Sequence, residues 1–310
     1  MTALISGSVA YDTIMVFRDR FKNHVLPEQV HILNVAFLVD QLRREYGGCA
    51  GNIAYNLMLL GQRGLPLSTV GKDFGTYAQW MKDWGVPMDY VKRFDDHYCA
   101  QAYITTDLDD NQITAFHPGA MNLAHEVKVP TNEGAKIGIV APNGRDGMVQ
   151  HAQQFADAGI PFIFDPGQGL PMFNGEELLD FVEKATYMAV NDYESRMVQD
   201  RTGLSMDDLA KKLDALIVTR GAEGSDIYAN GETIHVDAVT PEDVLDPTGC
   251  GDAYRAGLLY GLLNDLDWRT TGQIASLMGS LKVARAGTQN HHFTLEQFRK
   301  WYKKAWGSDF

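Results

Sequence analysis

The chain has 310 residues, of which 45% are apolar, so it is long and apolar enough to bury a large hydrophobic core. Its formal net charge is -13 and it contains no block of Lys or Arg, which argues against a nucleic-acid or anionic-membrane partner, because such surfaces need clustered positive charge. No basic segment precedes an apolar run at the start, and no apolar stretch reaches the roughly 18 residues of a membrane span. We therefore expect a cytoplasmic protein.

The three cysteines, Cys49, Cys99 and Cys250, form neither an even disulfide set nor a paired zinc spacing. This pattern is typical of reduced thiols in a cytosolic compartment, and it predicts no redox or metal role.

Short β-rich apolar runs that end in Gly, Asp or Asn alternate with helical patterns along the chain. This alternation predicts an α/β fold with a mostly parallel sheet and helices on both faces. In such sheets the site lies beyond the carboxyl ends of the strands, where the terminal polar residues gather. The predicted strands are ALISG, STVGKD, KIGIVAPN, PFIFDPG, YMAVND and ALIVTRG, and the predicted helices cover 50–60, 76–84, 146–158, 193–213, 252–263 and 268–285.

Two segments interrupt the alternation. Residues 13–40 contain the β-like runs TIMVF and VHILNVAFLV, and YCAQAYITT and QITAFH flank DLDDN as a predicted hairpin over 98–117. Because neither segment has a helix to cover a second face, we interpret them as a small β-sheet lid over a main domain of residues 1–12, 41–97 and 118–310. Extra edge strands of the main sheet are the alternative.

The segment LDPTGCGDAYRAGLLYGLL, residues 245–263, carries the strongest indication of chemistry. Gly249, Cys250 and Gly251 lead directly into a helix, so their backbone N–H groups can converge on one anion with the helix dipole behind them. Asp252 begins that helix and could accept the proton of an attacking hydroxyl. From the residues alone, Asp252 could equally be a helix cap and the glycines a tight turn.

A second glycine-rich segment, EYGGCAGNIAYNLMLLG, covers residues 45–61. Gly47, Gly48 and Gly51 would let a ligand approach the backbone, and Asn52 offers both a donor and an acceptor to a hydroxylated substrate. Close strand–helix packing, with Asn52 as a cap, explains this segment equally well.

GGCAGN near residue 50 and DPTGCGD near residue 250, in this order and at this separation, resemble the two signature segments of the ribokinase-like (pfkB-type) kinases. The likeness extends along the whole chain through GSVAYD, NDYE and TRGAEGS. It implies a ribokinase-like fold and transfer of the γ-phosphoryl of ATP to a hydroxyl, with Asp252 as catalytic base and Gly249, Cys250 and Gly251 as anion hole. Cys250 stands where the family usually has Ala, which a device made of backbone N–H groups should tolerate.

The same resemblance assigns the substrate and nucleotide contacts. It places Asp12 of GSVAYD, with Gly48 and Asn52, on the sugar hydroxyls. It also implies that the NDYE and TRGAEGS segments bind ATP and Mg²⁺. The residues so implied are Asn191 for ATP, Glu194 for the metal through water, Thr219, Gly221 and Gly224 for ATP, and Arg220 as a further charge near the phosphates.

Two of these assignments have simpler explanations from the residues alone. Asp12 could be an ordinary turn residue after the first strand. NDYE could be a helix N-terminus whose acidic residues favour the helix dipole.

Within the family, DNQITAFHPGAMN and FDPGQGLPMF resemble bacterial members assigned as adenosine kinases, which implies the 5′-hydroxyl of adenosine as acceptor. A ribokinase-type sugar kinase, or a kinase of inosine or guanosine, is the alternative, and a non-catalytic ligand-binding protein on the same fold is more distant. We expect a monomer or homodimer. The lid segments contain four aromatic residues that could stack on a purine or simply pack in a core: Phe17, Phe37, Tyr103 and Phe116.

Other classes of protein fail on specific residues. A P-loop needs G-x-x-x-x-G-K-[ST], whereas Gly71-Lys72 is followed by Asp73. A dinucleotide-binding strand needs G-x-G-x-x-G, whereas ISGSVAYD offers only Gly7. The pair His291-His292 lacks a metal-ligand spacing, so we expect no histidine metal site.

Overall fold

The computed structural model describes residues 1–25, 34–109 and 111–310. Their strands form one large and one small sheet. The strands of the large sheet are β1 (Thr2–Ser6), β4 (Arg63–Gly71), β5 (Val91–Phe94), β8 (Ala135–Val140), β9 (Phe162–Phe164), β10 (Tyr187–Asn191), β11 (Ala215–Thr219), β12 (Ser225–Ala229) and β13 (Glu232–Val236). The strands of the small sheet are β2 (Ala10–Phe17), β3 (Val39–Gly47), β6 (Ala100–Thr106) and β7 (Gln112–His117).

Helices cover both faces of the large sheet. None of the helices in the described ranges is long and apolar enough to cross a membrane. They are α1 (Cys49–Leu59), α2 (Gly75–Asp83), α3 (Arg145–Asp157), α4 (Gly175–Lys184), α5 (Asp192–Thr202), α6 (Met206–Ala210), α7 (Cys250–Leu263), α8 (Trp268–Val283) and α9 (Leu295–Trp306).

The large sheet has nine strands in the order β13-β12-β11-β10-β9-β8-β1-β4-β5. All neighbours from β11 to β5 run parallel, and β12 and β13 add an antiparallel edge. Because side chains alternate across a strand, Ala3 and Ile5 of β1 join the core under α1 and α7, while Leu4 joins the core on the opposite face. This arrangement confirms the predicted fold class.

The small sheet has the order β3-β2-β6-β7, and β6 and β7 form the predicted antiparallel hairpin. The predicted strand run VHILNVAFLV was wrong over residues 34–38, which form no strand, and residues 30–33 lie outside the described part of the chain. The third strand instead starts at Val39. The aromatic ring of Phe37 packs against Phe17 and Phe21, with centroids 4.9 Å apart in each pair, rather than joining a sheet.

The helix predicted over 193–213 is two helices. Gly203 ends α5 in a left-handed conformation with φ 71°, and the Ser205 side chain then caps α6. The pattern analysis also missed α4 and α9, although each begins with a capping box, Asn174 with Glu177 and Thr294 with Gln297. These signals were present in the sequence and were not used.

Candidate active site

The start of α7 forms the floor of the site. Gly249 caps the helix with φ 78°, and a Cβ at this position would lie 3.0 Å from the Thr288 side chain, so the turn requires glycine. The Cys250 N–H donates to the Pro247 carbonyl at 3.1 Å. The N–H groups of Gly251 and Asp252 donate to no oxygen of the described residues, as expected for the first turn of a helix. The Gly249 N–H is unpaired among the described residues as well, so of the three predicted anion-hole residues Gly249 and Gly251 offer free donors and Cys250 does not, while Asp252 adds a further one.

Asp252 is partly accessible to solvent and closely surrounded by other groups. The Asn52 Nδ2 donates to its Oδ2 at 2.7 Å, and the Cys49 thiol lies beside it. Burial raises the pKa of Asp252 to about 6, and the nearby Asp165 adds to the increase, while the Asn52 hydrogen bond opposes it. The carboxylate is thus ionised at neutral pH and more basic than an ordinary Asp, which suits a general base.

Asn52 is buried and its amide is held at both ends. Its Oδ1 accepts a hydrogen bond from Gln289 Nε2 at 3.0 Å, while its Nδ2 faces Asp252. Gln289 Nε2 also donates to the Tyr77 hydroxyl at 2.5 Å, and that hydroxyl donates to the Gly47 carbonyl at 2.9 Å. The structure therefore directs Asn52, which we predicted to contact the substrate, onto the Asp252 carboxylate.

Asp12 lies on β2 beside Gly47. A Cβ on Gly47 would lie 2.7 Å from Asp12 Oδ2, so the missing side chain makes room for the carboxylate. Burial is the main cause that raises the pKa of Asp12 to about 6, and repulsion from Asp246 and Glu45 adds to the increase. No hydrogen bond from the described residues offsets it. The oxygens of Asp12 are available to the hydroxyl donors of a substrate.

Gly48 shapes the turn between β3 and α1. Its φ is 85°, and a Cβ there would come within 2.6 Å of the Ala10 nitrogen and the Ser8 carbonyl oxygen. Ser8 in turn accepts the N–H of Ala50 at 2.9 Å through its carbonyl oxygen. The backbone alone therefore explains this glycine, and its predicted substrate contact stays a prediction.

A cavity of about 360 Å³ adjoins the start of α7. It is lined by Thr219, Gly221 and Gly224, the predicted ATP residues, and by Cys250 and Gly251. The predicted nucleotide turn and the anion-binding helix start thus share one pocket. The rest of its lining is mainly apolar and includes Ala238, Val239, Pro241, Val244 and Val283.

The NDYE segment forms a capping box at the start of α5. Asn191 Oδ1 accepts the Glu194 N–H at 2.7 Å, and Glu194 Oε2 accepts the Asn191 N–H at 2.8 Å, which leaves the other oxygen of Glu194 free of this pairing. Burial, and then repulsion from Asp165, raises the pKa of Glu194. Within the described ranges, no three His, Cys, Asp or Glu side chains lie close enough to hold a metal ion.

The Arg220 side chain forms an ion pair with Asp226. Its Nε donates to Asp226 Oδ2 at 2.7 Å, and His235 Nδ1 lies 2.7 Å from the other oxygen of the same carboxylate. The structure therefore gives Arg220 a local ion pair, and its predicted position near the phosphates stays a prediction.

The pattern analysis missed a buried ion pair behind the base. Arg255 Nη2 lies 3.0 Å from Asp165 Oδ1, and both side chains are almost fully buried. The same nitrogen donates to the Ala189 carbonyl at 3.3 Å. Both residues stood in quoted segments, Asp165 at the end of a predicted strand and Arg255 three positions after Asp252 on the same helical face, so spacing could have identified Arg255.

Strand register decides which lid aromatic faces the site. Asp12 pairs with Ala102, and Ala102 pairs with Phe116, so Phe116 and Asp12 project from the same face of the small sheet. Tyr103 pairs with Thr13 and projects from the opposite face. Of the four candidate aromatics, Phe17 and Phe37 pack together, which leaves Phe116 on the face of Asp12.

The same face lies towards the segments that precede α7 and follow α8. Glu45 pairs with Asp12, and its Oε2 accepts a hydrogen bond from Asn290 Nδ2 at 2.9 Å, in the segment that follows α8. Asp12 also lies within electrostatic reach of Asp246, which precedes α7.

Comparison with known proteins identifies kinases as relatives of this chain. The chain is 32% identical over 260 residues to a nucleoside kinase of Methanocaldococcus jannaschii, covering 83% of this chain and 85% of the relative. The structure of Burkholderia thailandensis nucleoside kinase in complex with inosine superposes with a TM-score of 0.91 at 48% identity, covering 99% of this chain and 100% of that one. The ADP-inosine complex of the same kinase gives a TM-score of 0.87 at 51% identity, covering 99% and 97% of the two chains.

The family model described as pfkB family carbohydrate kinase matches residues 8–294, a range that includes Asp12, Asn52 and Asp252. The chain therefore belongs to the pfkB family of ribokinase-like carbohydrate kinases, phosphotransferases with an alcohol group as acceptor.

Proposed function

We propose that this protein is an ATP-dependent nucleoside kinase that phosphorylates the 5′-hydroxyl of purine nucleosides, adenosine among them. The observation that carries the proposal is the position of Asp252. It is an ionised, unusually basic carboxylate beside the free N–H groups at the start of α7, next to a largely apolar cavity lined by the nucleotide turn.

The proposed chemistry assigns one task to each group. Asp252 takes the proton of the 5′-hydroxyl as that oxygen bonds to the γ-phosphorus, and the bond from the γ-phosphorus to the ADP oxygen breaks with its electron pair. The N–H groups of Gly251 and Asp252 stabilise the charge on the transferred phosphoryl group. Asp12 accepts hydrogen bonds from the ribose hydroxyls, which holds the 5′-oxygen in line with the phosphate.

Glu194 fits a supporting role towards Mg²⁺. One of its oxygens is free of the capping box, and Mg²⁺ in kinases is commonly held by one or two carboxylates, phosphate oxygens and water. Bound there, the ion would neutralise charge on the phosphates. Thr219, Gly221 and Gly224 would contact ATP from the wall of the cavity beside the start of α7, and Asn191 pairs with Thr219 on the neighbouring strand.

The lid face supports a nucleoside rather than a free sugar as acceptor. Ile14 lies two residues after Asp12 and pairs with Ile104, so both isoleucines project from the same face as Asp12 and Phe116. An apolar surface therefore continues from the carboxylate that would bind the ribose. Such a surface can stack on a purine ring without reading its hydrogen-bonding groups. We therefore propose that both adenosine and inosine are substrates, and the Burkholderia thailandensis kinase in complex with inosine supports the second of these.

A coupled ADP-release assay with adenosine, inosine, guanosine and ribose tests the proposal. Adenosine and inosine should have kcat/KM values within about tenfold of each other, because stacking discriminates weakly, and ribose should be far poorer, because it lacks the binding energy of the base. Ribose turnover equal to that of the nucleosides would show that the protein is a sugar kinase.

A variant that alters only the lid surface sharpens this test. Phe116→Ala should lower kcat/KM for both nucleosides and leave that for ribose unchanged, while Tyr103→Ala, on the opposite face, serves as the control. Equal effects of the two substitutions would contradict the assignment of the base-binding face.

A further inference from the structure

Lys282 is a buried cation for which the proposed chemistry has no use. It lies on the last turn of α8 and its side chain is fully buried. Its Nζ donates to the backbone oxygen of Asp246 at 2.7 Å and to that of Arg285 at 3.1 Å. No carboxylate of the described residues forms an ion pair with it. The ammonium is held by carbonyl dipoles, at the end of a helix whose dipole favours a positive charge.

The two carbonyls belong to the two segments that enclose the base. The loop of residues 244–249 leads into Gly249, and its Asp246 carboxylate accepts the Gly287 N–H at 2.9 Å. The segment of residues 284–289 brings Thr288 against Gly249 and Gln289 onto Asn52. Lys282 thus connects two segments. One is the loop of residues 244–249, which leads into the proposed anion hole, and the other is the segment of residues 284–289, whose Gln289 orients Asn52 against Asp252.

Packing alone does not account for a charge at this place. Burying an ammonium is costly, and replacing a buried ion by an apolar side chain of similar volume is often neutral or stabilising. Burial lowers the pKa of Lys282, whereas Cys250, Asp246 and Asp252 act in the opposite direction and so lie within its electrostatic reach. Burying this amine next to the start of α7 is therefore costly to folding, and apolar packing does not explain it.

We infer that Lys282 is a positioning residue for phosphoryl transfer, a tethered cation that fixes the anion-hole loop against residues 284–289 and places positive charge behind the phosphates. This inference rests on the proposed kinase function. Because the ammonium acts on the transition state through the anion hole, and not on the nucleoside, its loss should lower kcat more than it changes the KM for the nucleoside.

Lys282→Met tests this inference, because Met keeps an unbranched apolar side chain in the buried position and removes the amine. We expect a kcat lower by a factor on the order of 10–100, the size of a small misplacement of reacting groups, with a near-parental KM for adenosine. Thermal unfolding should show a folded protein. Lys304→Met is the matched control, because it makes the same substitution at an exposed lysine of α9, outside the site, and should leave kcat unchanged. A Met variant with parental kcat would overturn the inference.

Lys282→Ala adds a second readout, since it opens a cavity where the ammonium stood. Propylammonium or ammonium chloride should restore part of the lost kcat, and tetramethylammonium chloride, which has no N–H donor, should not. A folded Ala variant that none of these salts restores would show that a cation is not what the site requires. If the Ala variant does not fold, the Met variant decides alone.

The parent enzyme separates this inference from the proposed function. Parent protein that phosphorylates no nucleoside would refute the kinase proposal itself, whereas an active parent with an equally active Met variant would refute only the role of Lys282.

Discussion

Asp252 combines two properties that a helix cap does not need. Its pKa is raised to about 6 by burial, and it is held by Asn52, whose own amide is fixed by Gln289. An ordinary N-cap carboxylate has a lowered pKa because it accepts backbone N–H groups, as Asp267 does at the start of α8. The environment of Asp252 therefore favours the catalytic interpretation of this residue over the capping one.

Asp252→Asn should lower kcat by roughly 10²–10⁴-fold, the usual range for a positioned general base, with a smaller effect on substrate affinity. Steady-state kinetics at saturating Mg²⁺-ATP measure this loss. Asp267→Asn is the control for a cap, because Asn caps helices about as well as Asp, and its kcat should be parental. Near-parental kcat in the Asp252 variant would eliminate the proposed base.

The pH dependence of the parent should reflect two carboxyl groups. Protonation removes the base, so kcat should fall as the pH drops through about 6, the raised pKa of Asp252. Asp12 has a pKa of about 6 as well, and its protonated form accepts ribose hydroxyls less well, so kcat/KM should fall more steeply than kcat.

Asp12→Asn removes the second ionisable carboxyl group from the pH profile of kcat/KM. The variant should have a lower kcat/KM throughout, and its acid limb should have a slope of about one instead of about two, because a single ionisation remains. An unchanged slope would remove Asp12 from the nucleoside site.

At the scale of elements, α7 is tied to the sheet by a charge pair as well as by apolar packing. Arg255 reaches from α7 to Asp165, just beyond β9, and to the Ala189 carbonyl of β10. The helix that carries Asp252 is thereby fixed to the ends of β9 and β10. A buried pair of this kind contributes little net stability, but each partner depends on the other.

Arg255→Met should destabilise the protein by about 3–5 kcal/mol, because it leaves Asp165 buried without a counter-charge. The double variant Arg255→Met with Asp165→Leu should recover much of that loss, since it removes both charges. Denaturant unfolding of the parent, both single variants and the double variant gives the coupling free energy. A double variant no more stable than the single variants would show that the pair is not coupled.

At the scale of the whole molecule, the small sheet is separate from the large sheet and packs against α2. Tyr11 and Tyr46, at its base, pack against Tyr77 of α2 with ring centroids 5.7 and 4.7 Å away. Strand β7 forms the edge of this sheet away from β3, and its Phe116 is exposed on the same face as Asp12. We propose that this sheet closes over bound nucleoside and excludes water that would hydrolyse ATP.

Hydrogen exchange tests the closure. Adenosine with a non-hydrolysable ATP analogue should increase amide protection in β2, β3, β6 and β7, while α9, which packs against α8, should be unchanged. Equal protection of the small sheet with and without ligands would contradict the lid assignment.

The sequence by itself determined the local features of this protein. Alternating apolar runs and helical patterns predicted the parallel sheet, and two glycine-rich segments marked the starts of α1 and of α7, where Asp252 lies. These features are readable because periodicity and turn chemistry act over a few neighbouring residues.

Tertiary structure alone decided the contacts between distant segments. Asn52 and Asp252 meet 200 positions apart, Gln289 and Lys282 carry no motif, and only strand register places Phe116 rather than Tyr103 on the face of Asp12. The physical reason is that side-chain pairing across sheets and between helix starts follows from packing the whole chain. A shift of one residue in register reverses which side chains face the site, and no local pattern records that choice.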